Sequence, residues 1–277
     1  MRRLSQVLNA RGPAGVPLPE ILPSLSRRHI RFRRAQVVLV AAQPNGGKSM
    51  LALWYAVKSG LRTMYMSADT DPDTTTLRAA AIKMGRTYDE VEQMVRGGGA
   101  PLVEDALLEV EEAGLEFSFR PSPSLEAIDL EVLAYEEAYG CYPDLIVIDN
   151  LMNVMAGTDN EWQGMRETMS AMHLLARATD ACVLVLHHVS ESEYRPASKP
   201  ASRRAIQGKV SQLPELILTV AIEPRNGIYR VACVKNRHGE HDPTGEDYAT
   251  CYVDAPRMTL FDSLTDMQMA ASRREWA

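Results

Sequence analysis

The stretch 36–49, Gln-Val-Val-Leu-Val-Ala-Ala-Gln-Pro-Asn-Gly-Gly-Lys-Ser, constrains the fold of this chain more than any other part of the sequence. Its apolar, valine-rich run over 37–42 predicts a β-strand that is buried on both faces, as strands of parallel sheets are. A turn rich in proline, asparagine and glycine follows, and a helical pattern then continues to about Ser59. A strand, a glycine-rich turn and a helix in this order predict a loop that binds phosphate groups.

The turn carries the groups that such a loop needs. Gly46 and Gly47 allow backbone N–H groups to close around phosphate oxygens, and the free helix N-terminus adds its dipole. We expect Lys48 to reach the β- and γ-phosphates, and the hydroxyl of Ser49 to bind Mg²⁺. The first glycine of the usual pattern GxxxxGK[ST] is Ala42 here, whose small side chain still permits close approach; the alternative is a chance Gly-Gly-Lys turn. The predicted nucleotide-binding residues are Gln43, Pro44, Asn45, Gly46, Gly47, Lys48, Ser49 and Met50.

Strand and helix patterns alternate along most of the remaining chain. Strands are predicted at 62–68, 115–119, 144–149 and 181–187, and helices at 72–84, 102–113, 124–139 and 164–179. Strand pairs follow over 215–235 and 248–261. This order predicts an α/β fold with a mostly parallel, twisted sheet flanked by helices and a C-terminal antiparallel extension.

Composition divides the chain into three segments. Residues 1–35 contain eight arginines and one acid, and they predict a basic arm or linker with a short edge strand over 29–34. Residues 36–265 hold the alternating pattern and are long enough for one domain with a buried core. Residues 266–277 are predicted to be a frayed tail.

Bulk properties argue against several classes of protein. The sequence has no apolar run as long as a membrane span and no secretory signal after Arg2 and Arg3, so we expect no membrane partner. The four cysteines are widely spaced without a CxxC pair, which is typical of reduced thiols in a cytoplasmic protein. The formal net charge of −6 argues against a broad basic face, so nucleic-acid contacts are expected only on an arm or on loops.

Asp149 ends the apolar strand pattern over 145–148. A phosphate-binding loop works with a metal-directed carboxylate one or more strands away, and Asp149 is the natural candidate. We expect it to hold Mg²⁺ through water, together with Ser49. The alternative is an aspartate that caps the turn after its strand.

The order of these motifs resembles the RecA/DnaB-type ATPase domain of ring helicases and strand-exchange proteins, over about residues 35–262. The resemblance implies a RecA-like P-loop NTPase core that binds ATP and Mg²⁺. It also implies that an acid after the second strand polarises the attacking water. The segment Tyr65-Met-Ser-Ala-Asp69 is similar to the DnaB pattern that ends in glutamate, and it puts Asp69 in this general-base position with a side chain one methylene shorter. The alternative is a helix-capping acid in a turn that also holds Asp71 and Asp73.

Two further motifs continue the resemblance. His188, in Leu-His-His-Val, occupies the place of the polar residue that senses the γ-phosphate; the alternative is a hydrogen-bonded histidine at a strand end. The segment Lys235-Asn-Arg-His-Gly239 resembles the Lys-x-Arg-x-Gly of DnaB-type helicases, in which both cations enter the nucleotide site of a neighbouring subunit. The resemblance therefore implies that Lys235 and Arg237 act in trans within a homo-oligomer, expected to be a six-membered ring. The alternative is a solvated basic strand end.

The resemblance places DNA contacts on two loops, here about 151–163 and 189–210. The second loop is basic, which suits contacts to phosphates without reading of bases. Its predicted DNA-binding residues are Lys199, Arg203, Arg204 and Lys209, joined by Arg195. The first loop is acidic at Asp159 and Glu161 and offers Trp162, so its role stays open. An ordinary surface loop is the alternative for the second.

The function that these residues favour is an ATP-hydrolysing motor of the DnaB/RecA class that acts on single-stranded or forked DNA. It resembles the small replicative helicases of phages and plasmids. The alternatives are a recombinase or recombination mediator, a purely regulatory ATP switch, and a metal-dependent nuclease on forked DNA. The nuclease would require Asp69, Asp71, Asp73 and Asp149 to cluster around metal ions.

Overall fold

The computed structural model describes residues 15–158, 160–190 and 196–275. The strands are β1 (Val37–Ala42), β2 (Thr63–Ser67), β3 (Leu115–Ser118), β4 (Leu145–Asp149), β5 (Cys182–His188), β6 (Leu216–Glu223), β7 (Ile228–Asn236), β8 (Tyr248–Asp254) and β9 (Thr259–Phe261). The α-helices are α1 (Pro23–Arg27), α2 (Lys48–Ser59), α3 (Pro72–Met84), α4 (Tyr88–Arg96), α5 (Ala100–Glu112), α6 (Leu125–Tyr139), α7 (Glu161–Thr179) and α8 (Leu264–Glu275).

These strands form one sheet in the order β3-β2-β4-β5-β1-β6-β7-β8-β9. The pairs from β3 to β6 are parallel, and the pairs from β6 to β9 are antiparallel. The predicted α/β class, with a mostly parallel sheet and an antiparallel C-terminal extension, is confirmed. Since β1 lies between β5 and β6 in the middle of the sheet, the turn that follows β1 lies at the centre of the sheet's edge.

Both faces of the sheet are covered, as the continuous apolar run of β1 predicts. Val38, Val40 and Ala42 pack with α2 in one core cluster. Val37, Leu39 and Ala41 pack with α6 and α7 in the other. In the part of the chain that the structure describes, no helix combines the length and the apolar character that a bilayer crossing requires.

The described part of the predicted arm, residues 15–35, packs into the first core cluster. Leu18, Leu25 and Phe32 are buried there. The ring of Phe32 meets the edge of the Tyr55 ring, with centroids 5.1 Å apart, and the Tyr55 hydroxyl donates a hydrogen bond to the carbonyl of Pro19 at 2.7 Å. These residues thus contribute to the core of the domain that was predicted to begin at residue 36.

The edge strand predicted over 29–34 is wrong. Within this fully described segment, only Arg33 forms a bridge, to Pro17. Backbone hydrogen bonds to residues 15–18 involve only Phe32 and Arg34, and the positive φ values of His29 and Ala35 end the extended run on either side. The alternation that suggested a strand arises because Ile30 and Phe32 both point into the core.

The end of the chain is more ordered than a frayed tail. Helix α8 begins at Leu264 and runs through the described part of the segment 266–277. Ser263 accepts a hydrogen bond from the backbone N–H of Asp266 at 3.1 Å, and Met267 packs against Gly227 in the turn between β6 and β7. A local cap and one apolar contact therefore hold a segment whose composition favoured disorder.

The packing of residues 15–35 yields a stability prediction. Phe32→Ala removes a fully buried ring and leaves a cavity against Tyr55, so we expect a loss of about 3–5 kcal/mol in the free energy of unfolding. Denaturant unfolding measures it. Leu130→Ala, at an exposed position of α6, is the control and is expected to change stability by less than about 0.5 kcal/mol. Equal stability of the two variants would contradict this packing.

Candidate functional site

The phosphate-binding loop lies where β1 ends and α2 begins. Gly47 is the N-cap residue of α2 with φ of +86°, which a side chain tolerates poorly. A Cβ on Gly46 would lie 2.6 Å from the Cβ of Ala42, so a glycine is required at position 46. Ala42 fits because its methyl group fills the space below Gly46. The Gly46 N–H donates to the carbonyl of Gln43 at 2.9 Å and closes the turn.

Tyr229, a residue that the sequence pattern does not single out, supports this loop from β7. Its hydroxyl donates a hydrogen bond to the carbonyl of Gly47 at 3.0 Å. Its ring would lie 2.7 Å from a Cβ at position 47, so the ring leaves room only for a glycine there. The Tyr229 side chain is fully buried, and it holds the loop in position relative to β7.

The loop opens into a cleft of ≈ 700 Å³ that gathers most of the predicted site residues. Residues 44–50, Asp69 and His188 line it together. Gln43 is not among the lining residues, and its carbonyl accepts the hydrogen bond that closes the turn. Lining residues that the sequence analysis missed are Thr70, Thr74, Arg78, Tyr88, Ile222, Ala255, Pro256 and Met258.

Ser49 and Asp149, the predicted Mg²⁺ ligands, lie in direct contact. Asp149 is 3% exposed, and it accepts hydrogen bonds from the hydroxyl of Ser49 and, at 2.9 Å, from the hydroxyl of Tyr65. Burial raises the pKa of the Asp149 carboxyl, while these hydrogen bonds and the charge of Lys48 oppose the rise. A hydroxyl and one carboxylate beside a phosphate-binding loop suit Mg²⁺, which takes its other ligands from phosphates and water.

Lys48 is 7% exposed, and its ammonium group places a positive charge at the base of the cleft. Burial lowers the pKa of Lys48, and the charges of Asp149 and Asp69 oppose the fall. Asp69 itself lies at the mouth of the cleft, two residues after β2 ends, and is accessible to water. Phosphate oxygens in the cleft would therefore meet a buried ammonium group on one side and a water-accessible carboxylate on the other.

The two histidines at the end of β5 point to different places. His188 is paired in register with Ala42 and lines the cleft, and burial together with the Lys48 charge lowers its pKa. His187 is fully buried, and its Nε2 lies 3.2 Å from the carbonyl oxygen of Gln207. Burial lowers the pKa of His187 to about 4, so the imidazole is neutral at pH 7. The strand thus connects the cleft to the segment around residue 207.

Lys235 and Arg237 lie at the opposite ends of the strands, near the start of β1 and not near the phosphate-binding loop that follows it. The backbone N–H of Arg237 donates to the carbonyl of Glu215, whose own N–H donates to the carbonyl of Val37 at the start of β1. The six residues of β1 therefore separate the two cations from the phosphate-binding loop, by roughly 20 Å at about 3.3 Å per residue. Neither cation can reach the nucleotide cleft of its own chain.

The two loops predicted to contact DNA line a second, larger cleft of ≈ 1460 Å³. Trp162, Arg166, Ser170 and Leu174 recur every four residues along one face of α7, opposite residues 204–208. Trp162 is 56% exposed. Helix α7 begins at Glu161, three residues earlier than predicted, and this places the tryptophan in its first turn.

The predicted basic residues of the second loop differ in accessibility. Arg204 is exposed and lines the larger cleft. Arg203 is half-buried and donates to the carbonyl of Ser211 at 3.1 Å, and Lys199 pairs with Glu246 at 3.6 Å. The side chain of Lys209, like Arg195 and Asp159, lies outside the described residues.

The carboxylates that a nuclease would use do not come together. Asp71 caps α3 by accepting the N–H of Thr74 at 2.8 Å, and Asp73 is exposed in the first turn of that helix. In the described ranges, no group of three or more histidine, cysteine, aspartate and glutamate side chains is arranged to hold a metal. Asp69 and Asp149 remain with the nucleotide cleft.

A family model described as "AAA domain" matches residues 22–193, more than half of the chain. The chain belongs to this AAA domain family. One relative of this AAA-domain protein is the Gene 65 protein of Mycobacterium phage L5, which is 36% identical over 264 residues. The match covers 93% of this chain and 97% of the phage protein.

Two solved structures share the fold of this AAA-domain protein. One is described as an ATPase domain and is similar with a TM-score of 0.78 and 15% identity, and the match covers 94% of this chain and 96% of that one. The other is a DnaB-like replicative helicase, solved to show its interactions with primase, with a TM-score of 0.77, 15% identity and 93% of this chain covered. This chain spans 66% of that helicase, just under two thirds. The predicted RecA/DnaB-type resemblance of the fold is confirmed.

Lys48 gives a direct test of the nucleotide cleft. Lys48→Ala removes the ammonium group at the base of the cleft, and we expect binding of ATP with Mg²⁺ to weaken by about 10- to 100-fold, because hydrogen bonds between charged partners are the strong ones. Titration of a fluorescent ATP analogue measures it. Lys58→Ala, at the far end of the same helix, should leave the affinity unchanged. An equal effect of both variants would contradict the assignment.

Proposed function

We propose that this AAA-domain protein hydrolyses ATP with Mg²⁺ at sites shared between two copies of the chain, and that it uses this reaction to act on single-stranded or forked DNA. The observation that carries the proposal is the division of the predicted site. Lys48, Ser49, Asp69 and Asp149 gather at one edge of the sheet, and the Lys235–Arg237 pair lies at the other.

Each residue of the cleft has a distinct role in this proposal. The backbone of residues 44–47 and the Lys48 ammonium group bind the phosphates, and Ser49 with Asp149 would hold Mg²⁺. The metal ion, when bound, neutralises charge on the β- and γ-phosphate oxygens. Asp69, at the mouth of the cleft, accepts the proton of the attacking water, and His188 contacts the γ-phosphate from the end of β5.

Lys48 and Arg78 are the lysine and arginine that line the chain's own cleft, and the remaining charge of the transition state calls for further cations from outside it. Phosphoryl transfer spreads negative charge over the equatorial oxygens, and an arginine supplied in trans is a strong stabiliser of it. Lys235 and Arg237 fit this role only if a second copy places its sheet edge against the cleft. We infer a closed homo-oligomer with one such contact per subunit, expected to be a hexamer.

DNA is proposed to follow the larger cleft between α7 and residues 204–208. The two predicted loops meet there, Arg204 and Arg166 offer contacts to phosphates, and Trp162 offers a ring on which a base can stack. The description of one of the two solved structures as a replicative helicase favours a helicase over a recombination mediator. The link from His187 to Gln207 gives the nucleotide cleft a path to this surface.

The general base is tested by Asp69→Asn. We expect the variant to bind ATP normally and to lose about 10²- to 10⁴-fold in kcat, since it can no longer accept a proton. A steady-state phosphate-release assay measures it. Asp69→Glu should retain hydrolysis, and Asp71→Asn, which keeps the cap of α3, should match the wild type. Full activity of Asp69→Asn would assign the base elsewhere.

The DNA surface is tested by two substitutions. Trp162→Ala is expected to weaken binding of oligothymidylate by about 5- to 150-fold, the range for loss of one stacked base. Arg204→Ala is expected to lower the salt slope of binding by about 0.7, the value for one phosphate contact. Fluorescence anisotropy over a salt series measures both.

The control for this surface is Arg96→Ala on α4, an exposed arginine that lines neither cleft. It should leave binding unchanged. If wild-type protein binds oligothymidylate and all three variants bind equally well, the path of the DNA is wrong. If the wild type does not bind, the proposed substrate is wrong.

A further inference from the structure

Glu215, just before β6, is a buried carboxylate to which the nucleotide cleft gives no role. The residue is 7% exposed. Its Oε2 accepts the backbone N–H of Val37, the first residue of β1, at 3.1 Å. Its Oε1 lies 3.4 Å from Nη1 of Arg237 and 3.5 Å from Nε2 of His173. One carboxylate thus joins the start of the central strand to a cation that is proposed to act in trans.

The contacts of Arg237 hold its guanidinium group from one side only. Nη1 donates to Glu215, and Nη2 donates to the carbonyl of Leu213 at 3.4 Å, while the side chain remains 50% exposed. A free arginine side chain loses rotamer entropy when its guanidinium group binds a partner, and an anchored side chain has already lost part of it. Glu215 and Leu213 therefore hold the guanidinium group, while half of the side chain stays open to solvent.

Lys235 lies beside Arg237 and is anchored by the same segment. Its Nζ donates to the carbonyls of Ser211 and Gln212 at 3.1 and 2.7 Å. Burial and the charges of Arg237 and Arg203 lower the pKa of Lys235 to about 8, and Glu215 opposes this. The negative charge of Glu215 offsets the repulsion between Lys235 and Arg237. Without it, we expect the two cations to move apart.

We propose that Glu215 is the positioning residue of the trans-acting cations: it holds Arg237, and through charge Lys235, in the orientation in which they meet the neighbouring subunit's γ-phosphate. This inference rests on the proposed function, because it assumes that the pair acts across an interface. It goes beyond the proposed function because it names Glu215 as the residue that holds the two cations in place.

Glu215→Gln tests the anchor, because the amide keeps the size of the side chain and can still accept the Val37 N–H but carries no charge. We expect kcat for ATP hydrolysis to fall by about 10- to 100-fold, the range for misplacement of a catalytic group by about 1 Å. Binding of a fluorescent ATP analogue should stay unchanged, because the P-loop of the same chain is intact.

Asp144→Asn is the matched control. Asp144 lies just before β4 and is buried to the same extent, with 9% of either side chain exposed. It also pairs with arginines, Arg34 at 2.5 Å and Arg62 at 2.9 Å, and it has no role in the proposed reaction. A loss of stability without a loss of kcat is expected for this variant. An equal loss of kcat in Glu215→Gln and Asp144→Asn would show that Glu215 affects activity only through the stability of the fold.

Subunit mixing separates positioning in trans from an effect within one chain. Mixed with Lys48→Ala subunits, Glu215→Gln subunits should regain hydrolysis, because they keep a working P-loop and borrow the cations of their neighbours. Mixed with Arg237→Ala subunits, they should gain nothing, since both lack the same half of the site. The double variant Glu215→Gln/Arg237→Ala should be no slower than Arg237→Ala alone.

Three results would overturn the inference or its basis. Wild-type kcat in Glu215→Gln, together with a slow Arg237→Ala, would remove Glu215 from the trans site. Complementation between Glu215→Gln and Arg237→Ala would place its effect at its own chain's cleft. Wild-type kcat in Arg237→Ala would instead overturn the proposed trans site. If Glu215→Gln does not fold, Glu215→Asp, which keeps the charge but shortens the reach, is subjected to the same mixing.

Discussion

A buried ammonium group beside a buried carboxylate is the interaction on which the nucleotide cleft depends. Burial lowers the pKa of Lys48 and raises that of Asp149, and each charge opposes the shift of the other. Removing either partner would leave the other buried charge with less compensation. Ser49 and Tyr65 complete the arrangement by donating to the carboxylate. The cleft therefore holds a preorganised set of charges that matches a phosphate chain and its metal ion.

The direction of the strands separates the predicted site residues into two groups at opposite ends of the strands. In a parallel sheet all the carboxyl ends share one edge, so β1, β2, β4 and β5 bring the P-loop, Asp69, Asp149 and His188 together. Strand β7 runs the other way, and its end carries Lys235 and Arg237 to the opposite edge. The antiparallel extension therefore moves two cations away from their own cleft, which is why we propose that they act on a second copy. The Tyr229 hydroxyl shows that the same strand also supports the P-loop of its own chain.

The sequence predicted those parts of the fold and the site that are encoded locally. The valine-rich run of β1, the Gly-Gly-Lys-Ser turn and the aspartate that ends β4 are each recognisable within a few residues, and the structure brings them together. Tyr229 and Glu215 could not be predicted, because their contacts to Gly47 and Val37 depend on the register of strands that lie more than 170 positions later in the chain. The packing of residues 15–35 likewise depends on contacts that are distant in the sequence. Their prolines and arginines indicate a linker, whereas the burial of Phe32 against Tyr55 is decided by tertiary packing.

We propose that each nucleotide site is completed by a second copy of the chain. Electron cryomicroscopy of the protein with single-stranded DNA, Mg²⁺ and a non-hydrolysable ATP analogue tests it most directly. We expect a closed ring in which Lys235 Nζ and the Arg237 guanidinium group of one subunit lie within hydrogen-bond distance of the γ-phosphate held at Lys48 of the next. A particle in which that phosphate is contacted by a single chain, with Lys235 and Arg237 facing solvent, would contradict it.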